Sequence, residues 1–343
     1  MEDIKALDLE ALQNKLTSFG FPKYHAKQIF NWIYKKGVLD FAQMSDLSQG
    51  LRDKLKENFY ISGLEIVKKV KSSDGTKKLL LKLADDNFIE AVIIPINDRL
   101  TACVSTQVGC KFACCFCASG MGGFKRNLSC PEILDEVLLL EKEVLPKRLT
   151  NLVFMGTGEP LDNYEEVLKA AKAINSSLGF NMGARKISIS TSGVIPGIRK
   201  LAAEGMQIEL SVSLHAAEDK LRSKLMPVNK KYPLKELIQA CKEYSEKTNR
   251  QVTFEYILIK GLNADLENAQ LLVKLLSGYK LAKVNLIPSN PVNELKLEAP
   301  DKTDILLFKD YLFKHGVNVT LRRERGRDIE AACGQLRLRY EKK

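Results

Sequence analysis

Between residues 101 and 315 the chain alternates strand-like with helix-like segments, and this alternation limits the fold more than any other feature. Strands are expected at 101–107, 149–155, 186–191, 207–214, 251–259 and 283–288, with amphipathic helices at 131–144, 164–178, 234–247, 266–276 and 302–315. Repeated β/α units build parallel sheets. The fold class is therefore α/β, a partial (β/α)6 barrel with its functional loops at the C-terminal ends of the strands. The strands are two-faced: Ile208, Leu210, Val212 and Leu214 alternate with Glu209, Ser211, Ser213 and His215, while Ile187 and Ile189 oppose Ser188 and Ser190. With the apolar faces against the helices, a polar lumen remains, which argues for an enclosed polar ligand rather than a self-packed interior.

The first barrel strand runs into a cysteine-rich loop. Cys110, Cys114 and Cys117 are separated by three residues and then two, close enough to reach one small inorganic body. Three thiolates do not close a tetrahedral site, but on an iron–sulfur cubane they leave one iron open for a substrate or cofactor. Structural zinc is the competing reading, yet zinc sites use paired Cys-x-x-Cys units or histidine, and neither occurs here. Cys115 is an alternative ligand that spacing alone disfavours. Eight cysteines in 343 residues are too few for a disulfide scaffold, and four of them fall within eight positions, which fits metal ligation in a reducing compartment.

Residues 1–56 read as helices, with Leu9, Leu12 and Leu16 on one face and Ile29, Phe30, Trp32 and Ile33 on another segment stopped by Gly37. Three alternating strands follow at 65–70, 77–83 and 88–96. These elements define an expected accessory domain over 1–97, ahead of a barrel domain over 98–343. Net charge is +11, with six lysines and two acids between Gly63 and Leu83 and eight basic against four acidic residues from Leu321 to Lys343. Two basic segments flanking a catalytic domain suit a polyanion, although either alone reads equally well as a solvated face. The N-terminus has no signal pattern and no apolar run is long enough to span a bilayer, so a cytoplasmic protein without a membrane partner is expected.

Further residues fall where chemistry would be placed. Gly156-Thr157-Gly158-Glu159-Pro160 follows the second barrel strand; the glycines permit close backbone approach, and the carboxylate can meet an ammonium. Ser190, Ser213, Leu214, His215 and Asn290 sit at or near strand ends. Glu90 lies in the apolar run Phe88–Ile94 (on one face with Phe88, Val92 and Ile94), so it is either an edge-strand surface residue or a partnered carboxylate suited to accept a proton. Cys103 is near the start of a barrel strand. Cys333 follows Arg322, Arg323, Arg325 and Arg327, a setting that favours a nucleophilic thiolate, the alternative being a small packed residue. Cys130 and Cys241 read as packing residues.

The Cys-x-x-x-Cys-x-x-Cys spacing resembles that of the radical S-adenosylmethionine (SAM) enzymes. The whole chain resembles one family among them, the dual-specificity 23S rRNA and tRNA adenine-C2 methyltransferases. The resemblance runs from Phe21-Pro22-Lys23-Tyr24-His25 to Ala332-Cys333-Gly334-Gln335, and includes Phe154–Leu161, Ile189–Gly193 and Ser213-Leu214-His215. Thr157 stands where the family usually has Met. The resemblance implies a [4Fe-4S] cluster on Cys110, Cys114 and Cys117, and SAM contacts from Gly158, Glu159, Ser190, Ser213, Leu214, His215 and Asn290. It also implies two SAM molecules per turnover, because adenine C2 is not reached by simple methyl transfer. Cys333 takes a methyl from the first, and the second yields a radical that removes hydrogen from that methyl. The carbon then adds to C2, Glu90 accepts the proton of the adduct, and Cys103 attacks Cys333 to release methyladenine and leave a disulfide. The implied partners are 23S rRNA, tRNA and an electron-donor reductase, with the chain acting as a monomer. A sister activity at adenine C8 uses the same cysteines, but those enzymes tend to carry Ala where this chain has Pro160. An inert iron–sulfur RNA-binding module and a glycyl-radical activase are the readings from other classes; the activase leaves Cys333 and the basic tail unexplained.

Overall fold

The computed structural model describes residues 1–289, 297–322, 325–332 and 335–336. Asn290 and Cys333 lie outside them. The N-terminal part contains α1 (Leu9–Ser18), α2 (His25–Tyr34) and α3 (Gln49–Asn58), with β1 (Glu2–Asp3) paired in parallel to β2 (Phe59–Tyr60). Leu12, Leu16, Ile29 and Ile33 are fully buried, as their helical spacing predicts.

The meander β3 (Glu65–Lys71), β4 (Lys77–Lys82) and β5 (Phe88–Ile96) leads into β6 (Arg99–Cys103). A short ribbon, β7 (Gln107–Gly109) with β8 (Phe124–Asn127), brackets the cysteine loop. Alternation then sets in: α4 (Cys130–Lys142), β9 (Asn151–Phe154), α5 (Tyr164–Asn175), β10 (Ile187–Thr191), α6 (Ile195–Ala203), β11 (Glu209–Ser213), α7 (Asp219–Leu225) and α8 (Leu234–Thr248). It ends with β12 (Val252–Leu258), α9 (Leu266–Leu276), β13 (Ala282–Pro288), α10 (Lys302–Lys314) and β14 (Asn318–Leu321). Local sequence starts α4 and α9 with side-chain caps, from Ser129 and Asp265. Ser129 and Glu132 form a reciprocal capping box at α4, with Pro131 in its first turn.

One ten-stranded sheet runs β14-β13-β12-β11-β10-β9-β6-β5-β4-β3, parallel from β6 to β14 and antiparallel from β3 to β6. This is the expected α/β partial barrel, with two additions. A seventh parallel strand, β14, pairs along β13; at four residues and half-exposed, it carries too short an alternation to be seen in sequence. The β3–β5 meander also joins the barrel sheet, Val92 pairing with Cys103, so the backbone edge of β5 is hydrogen-bonded across the expected boundary at residue 97.

Ile187, Ile189, Leu210, Val212 and Leu214 are buried in the main core. Their polar alternates face the other way. Among the described residues, no helix is long and apolar enough to cross a membrane.

Candidate active site

The site begins where β6 stops. Strand character was expected through residue 107 but ends at Cys103. Beyond it the backbone turns to the β9 loop: the Thr106 and Gln107 N–H groups both donate to the Thr157 carbonyl, at 2.9 and 3.1 Å, and the Gly156 N–H donates to Val104 at 2.9 Å. Cys103 is thereby placed at the C-terminal end of its strand rather than near its start. Gly156 and Gly158 are forced by this approach. A Cβ on Gly156 would stand 2.6 Å from the Val104 carbonyl carbon, and one on Gly158, whose φ is +110°, 2.6 Å from the Gln107 Cβ.

The cysteine loop is closed at its base by the β7–β8 ribbon. Gly109, at φ +77°, lies so close to Gly123 that a Cβ would fall 1.8 Å from the Gly123 carbonyl oxygen. Cys110 donates its N–H to the same oxygen at 3.1 Å. Cys110, Cys114 and Cys117 then border one cavity together with Gly158, Glu159, Ser190, Ser213 and His215. Cys115 is exposed, ties its N–H to the Leu225 carbonyl and does not line that cavity, so the alternative ligand set finds no support in the geometry. Thr157 does not line it either.

Each polar group here has an assigned task. Glu159 is buried, its carboxylate accepting the N–H of Ser192 at 2.6 Å and of Leu161 at 3.0 Å. Burial raises its pKa, against the pull of those donors. His215 adopts φ +61° and accepts the Ile257 N–H on Nδ1 at 3.0 Å, which puts the ring proton on Nε2. Burial first, and then Arg222, pull its pKa down to about 3, so the ring is neutral; Phe116 packs edge-on at 4.6 Å. Burial pushes the Cys110 thiol up to about 12 and that of Cys114 well above the usual range; the neighbouring cysteines raise Cys114 further, while Arg222 works against them.

Not every expected residue is gathered. Leu214 packs its side chain into the core, with its carbonyl taken by Arg222 and its N–H by the Glu255 carbonyl. Cys103 borders a neighbouring cavity of roughly 490 Å³ with Ile94, Val153, Ala331 and Leu336. Glu90 borders neither. It is not an edge-strand surface residue: β5 is interior, and Glu90 is buried in an ion pair with Lys78 at 3.0 Å. By alternation, however, it shares its face with Val92 and Ile94, which pack with Cys103.

Arg222 and Glu255 escaped the sequence reading, and Arg322 was read only as part of the charge around Cys333. Arg222 is fully buried and donates to the carbonyls of Leu214, Ser192 and Ser213 and to Asn229 Oδ1, at 2.7–3.1 Å. Its setting in Asp219-Lys-Leu-Arg-Ser-Lys reads as a solvated helix face, and no spacing signal marks it. Glu255 lines the cavity and accepts from Asn285 at 2.8 Å; a lone carboxylate in the apolar run Val252–Leu258 was the available clue. Arg322 borders both cavities.

Among the described residues, no three His, Cys, Asp or Glu side chains are gathered to hold a single metal ion. A cubane instead gives each thiolate its own iron. Three thiols around one cavity, beside a backbone cradle where no Cβ fits, suit such a group with a ligand next to it. A partial parallel barrel with a three-cysteine loop over its strand ends is the architecture of a radical SAM protein. Residues 104–272 match the radical SAM superfamily model, and residues 3–61 match the ribosomal RNA large subunit methyltransferase N-terminal domain. The chain is 47% identical over its full length to a protein of Thermoanaerobacter sp. (strain X514) named "Probable dual-specificity RNA methyltransferase RlmN", covering 99% of it. It is 46% identical to the RlmN of Clostridium novyi (strain NT), over 99% of both chains. The crystal structure of a radical SAM methyltransferase from Sphaerobacter thermophilus superposes with a TM-score of 0.94 at 43% identity, over 98% of this chain and 99% of that one. The chain belongs to the RlmN family of radical SAM methyltransferases.

Proposed function

We propose that the chain methylates C2 of adenine in RNA, in the peptidyl-transferase loop of 23S rRNA and 3′ to the anticodon of some tRNAs, through a methyl first carried on Cys333. The observation that carries this reading is the adjacency of the two cavities: Met155, Ile287 and Arg322 border both, so the cavity under the cysteine loop and the cavity at Cys103 adjoin. The relatives named as dual-specificity RNA methyltransferases support RNA as the substrate class.

In this reading Cys110, Cys114 and Cys117 hold a [4Fe-4S] cluster, and two SAM molecules are used per turnover. When bound, cluster and SAM supply the electron and the hydrogen-abstracting radical that an unactivated carbon requires. The chain's own groups bind, orient and move protons. Glu159, Ser190, Ser213 and His215 receive SAM, the neutral His215 offering Nε2–H as a donor. Asn290 adds a contact expected from the resemblance. Cys333 carries the methyl, Glu90 accepts the proton of the adduct, and Cys103 closes a disulfide with Cys333 that a reductase system reopens. The target adenine leaves its stack to enter, which loops and single strands permit most readily.

Reconstitution under nitrogen, methylation of transcribed rRNA fragments and mass-spectrometric mapping of the product test this. Methyl at C2, abolished by Cys333→Ala with the cluster retained, is expected. Methyl at C8 would replace the reading by the sister activity, which the Pro160 lining the cavity disfavours.

A further inference from the structure

The turn between β3 and β4 grips a segment more than 250 positions further along the chain. Ser72 Oγ donates to Asp328 Oδ1 at 2.5 Å, and the Ser73 N–H donates to Asp328 Oδ2 at 3.1 Å. Asp74 Oδ2 accepts the Gly326 N–H at 2.8 Å. Gly326 sits at φ +65°, where a Cβ would be 2.8 Å from the Thr76 methyl. The fit is therefore close in backbone as well as in side chains.

Lys78 completes the grip from inside. Its Nζ lies 3.0 Å from Glu90 Oε1 and donates to the Glu330 carbonyl, also at 3.0 Å. Lys78 pairs with Val92 and Glu90 with Leu80 across β4–β5, so both side chains are on one face and meet diagonally. That face packs against Cys103, Ala331 and Leu336. An ammonium has three donors, and here two of them join a buried carboxylate to a backbone carbonyl three residues before Cys333.

We propose that Lys78 is a positioning residue of the reaction, fixing the proton acceptor Glu90 and the segment that leads to Cys333 from a single point, with the Ser72–Asp74 turn as the outer half of the clamp. The inference rests on the roles given above to Glu90 and Cys333. Its physical content is coupling: without the ammonium, the hydrogen bond to the Glu330 carbonyl and the ion pair to Glu90 are lost in the same step. A surface lysine would couple nothing.

The test uses the full-length, reconstituted enzyme. In Lys78→Met, hydrogen exchange of the 325–332 peptide rises about ten-fold or more while α5 and α8 keep their protection. RNA turnover falls about ten-fold or more with the KM for RNA within about two-fold, and Lys78→Arg restores most of both, since a guanidinium can serve the same two acceptors. Unchanged protection of 325–332, or wild-type turnover, in Lys78→Met overturns the proposal. If Lys78→Met loses protection throughout, Asp328→Asn asks the same question from the exposed side, and an unchanged 325–332 peptide there overturns the clamp. RNA methylation by Cys333→Ala would instead sink the catalytic reading and leave the exchange result standing.

Discussion

The Glu159 carboxylate accepts the Ser192 backbone N–H at 2.6 Å, joining the loop after β9 to the end of β10 across 33 residues. The same carboxylate takes the Leu161 N–H, while the Glu159 N–H donates to Gln107. In Glu159→Gln the amide keeps one acceptor and turns a donor toward the other N–H. The expected cost is ~1–3 kcal/mol of stability. SAM affinity should fall about ten-fold or more with iron content unchanged, read by calorimetric titration of the reconstituted protein.

Cys114 borders the cavity and Cys115 does not. Cys114→Ala is therefore expected to lose iron and visible absorbance after anaerobic reconstitution, and Cys115→Ala to retain both. Equal loss in the two variants would reassign the ligand set.

Arg222 holds three carbonyls from two strand ends, with no carboxylate partner at hydrogen-bond distance among the described residues. Burial draws its pKa down to about 10, which still leaves it charged at neutral pH. Arg222→Met leaves those buried acceptors without their donor, and a loss of ~3–5 kcal/mol is expected in chemical denaturation. Arg222→Lys should recover little of it, because a point charge does not reproduce the fork.

His215 titrates near 3 when folded, against an ordinary value of 6.5. The unfolded chain therefore binds this proton first as pH falls. The contribution of His215 to stability is complete above pH 6.5 and is lost progressively toward pH 3. The expected loss is about 2–3 kcal/mol between pH 6.5 and 4.5. His215→Gln, which can still accept the Ile257 N–H, should flatten that part of the denaturation profile; an equally steep profile in the variant would rule this out.

Lys68 and Lys71 are exposed on β3, whereas Lys69 is engaged with Glu143. If the meander holds RNA phosphates, replacing Lys68 and Lys71 with Gln should lower the slope of log affinity against log salt by about 2. A wild-type affinity flat between low and moderate salt would refute that role for the charge.

Much of the site was legible because its signals are local. Ser190, Ser213 and His215 show by simple alternation that they oppose an apolar face, and the sheet bears this out: all three border the cavity while Ile189, Val212 and Leu214 are buried in the core. Leu214 lies between two cavity residues, and its side chain is turned into the core by the same alternation. Strand ends were less legible. β6 closes at Cys103 as the chain turns to the loop after β9, where the Thr106 and Gln107 N–H groups bond to Thr157, some fifty residues away.

By itself the sequence determined the α/β alternation, the three-thiol spacing and the glycine cradle beside Glu159, because each depends on neighbours a few residues apart. Tertiary structure alone decided that Arg222 is a buried tie rather than a surface charge, that Cys115 faces outward, and that Lys78 bridges Glu90 to the Glu330 carbonyl. Periodicity reports which face a side chain occupies. The partner it meets there is set by how distant segments pack, and residue spacing carries no record of that choice.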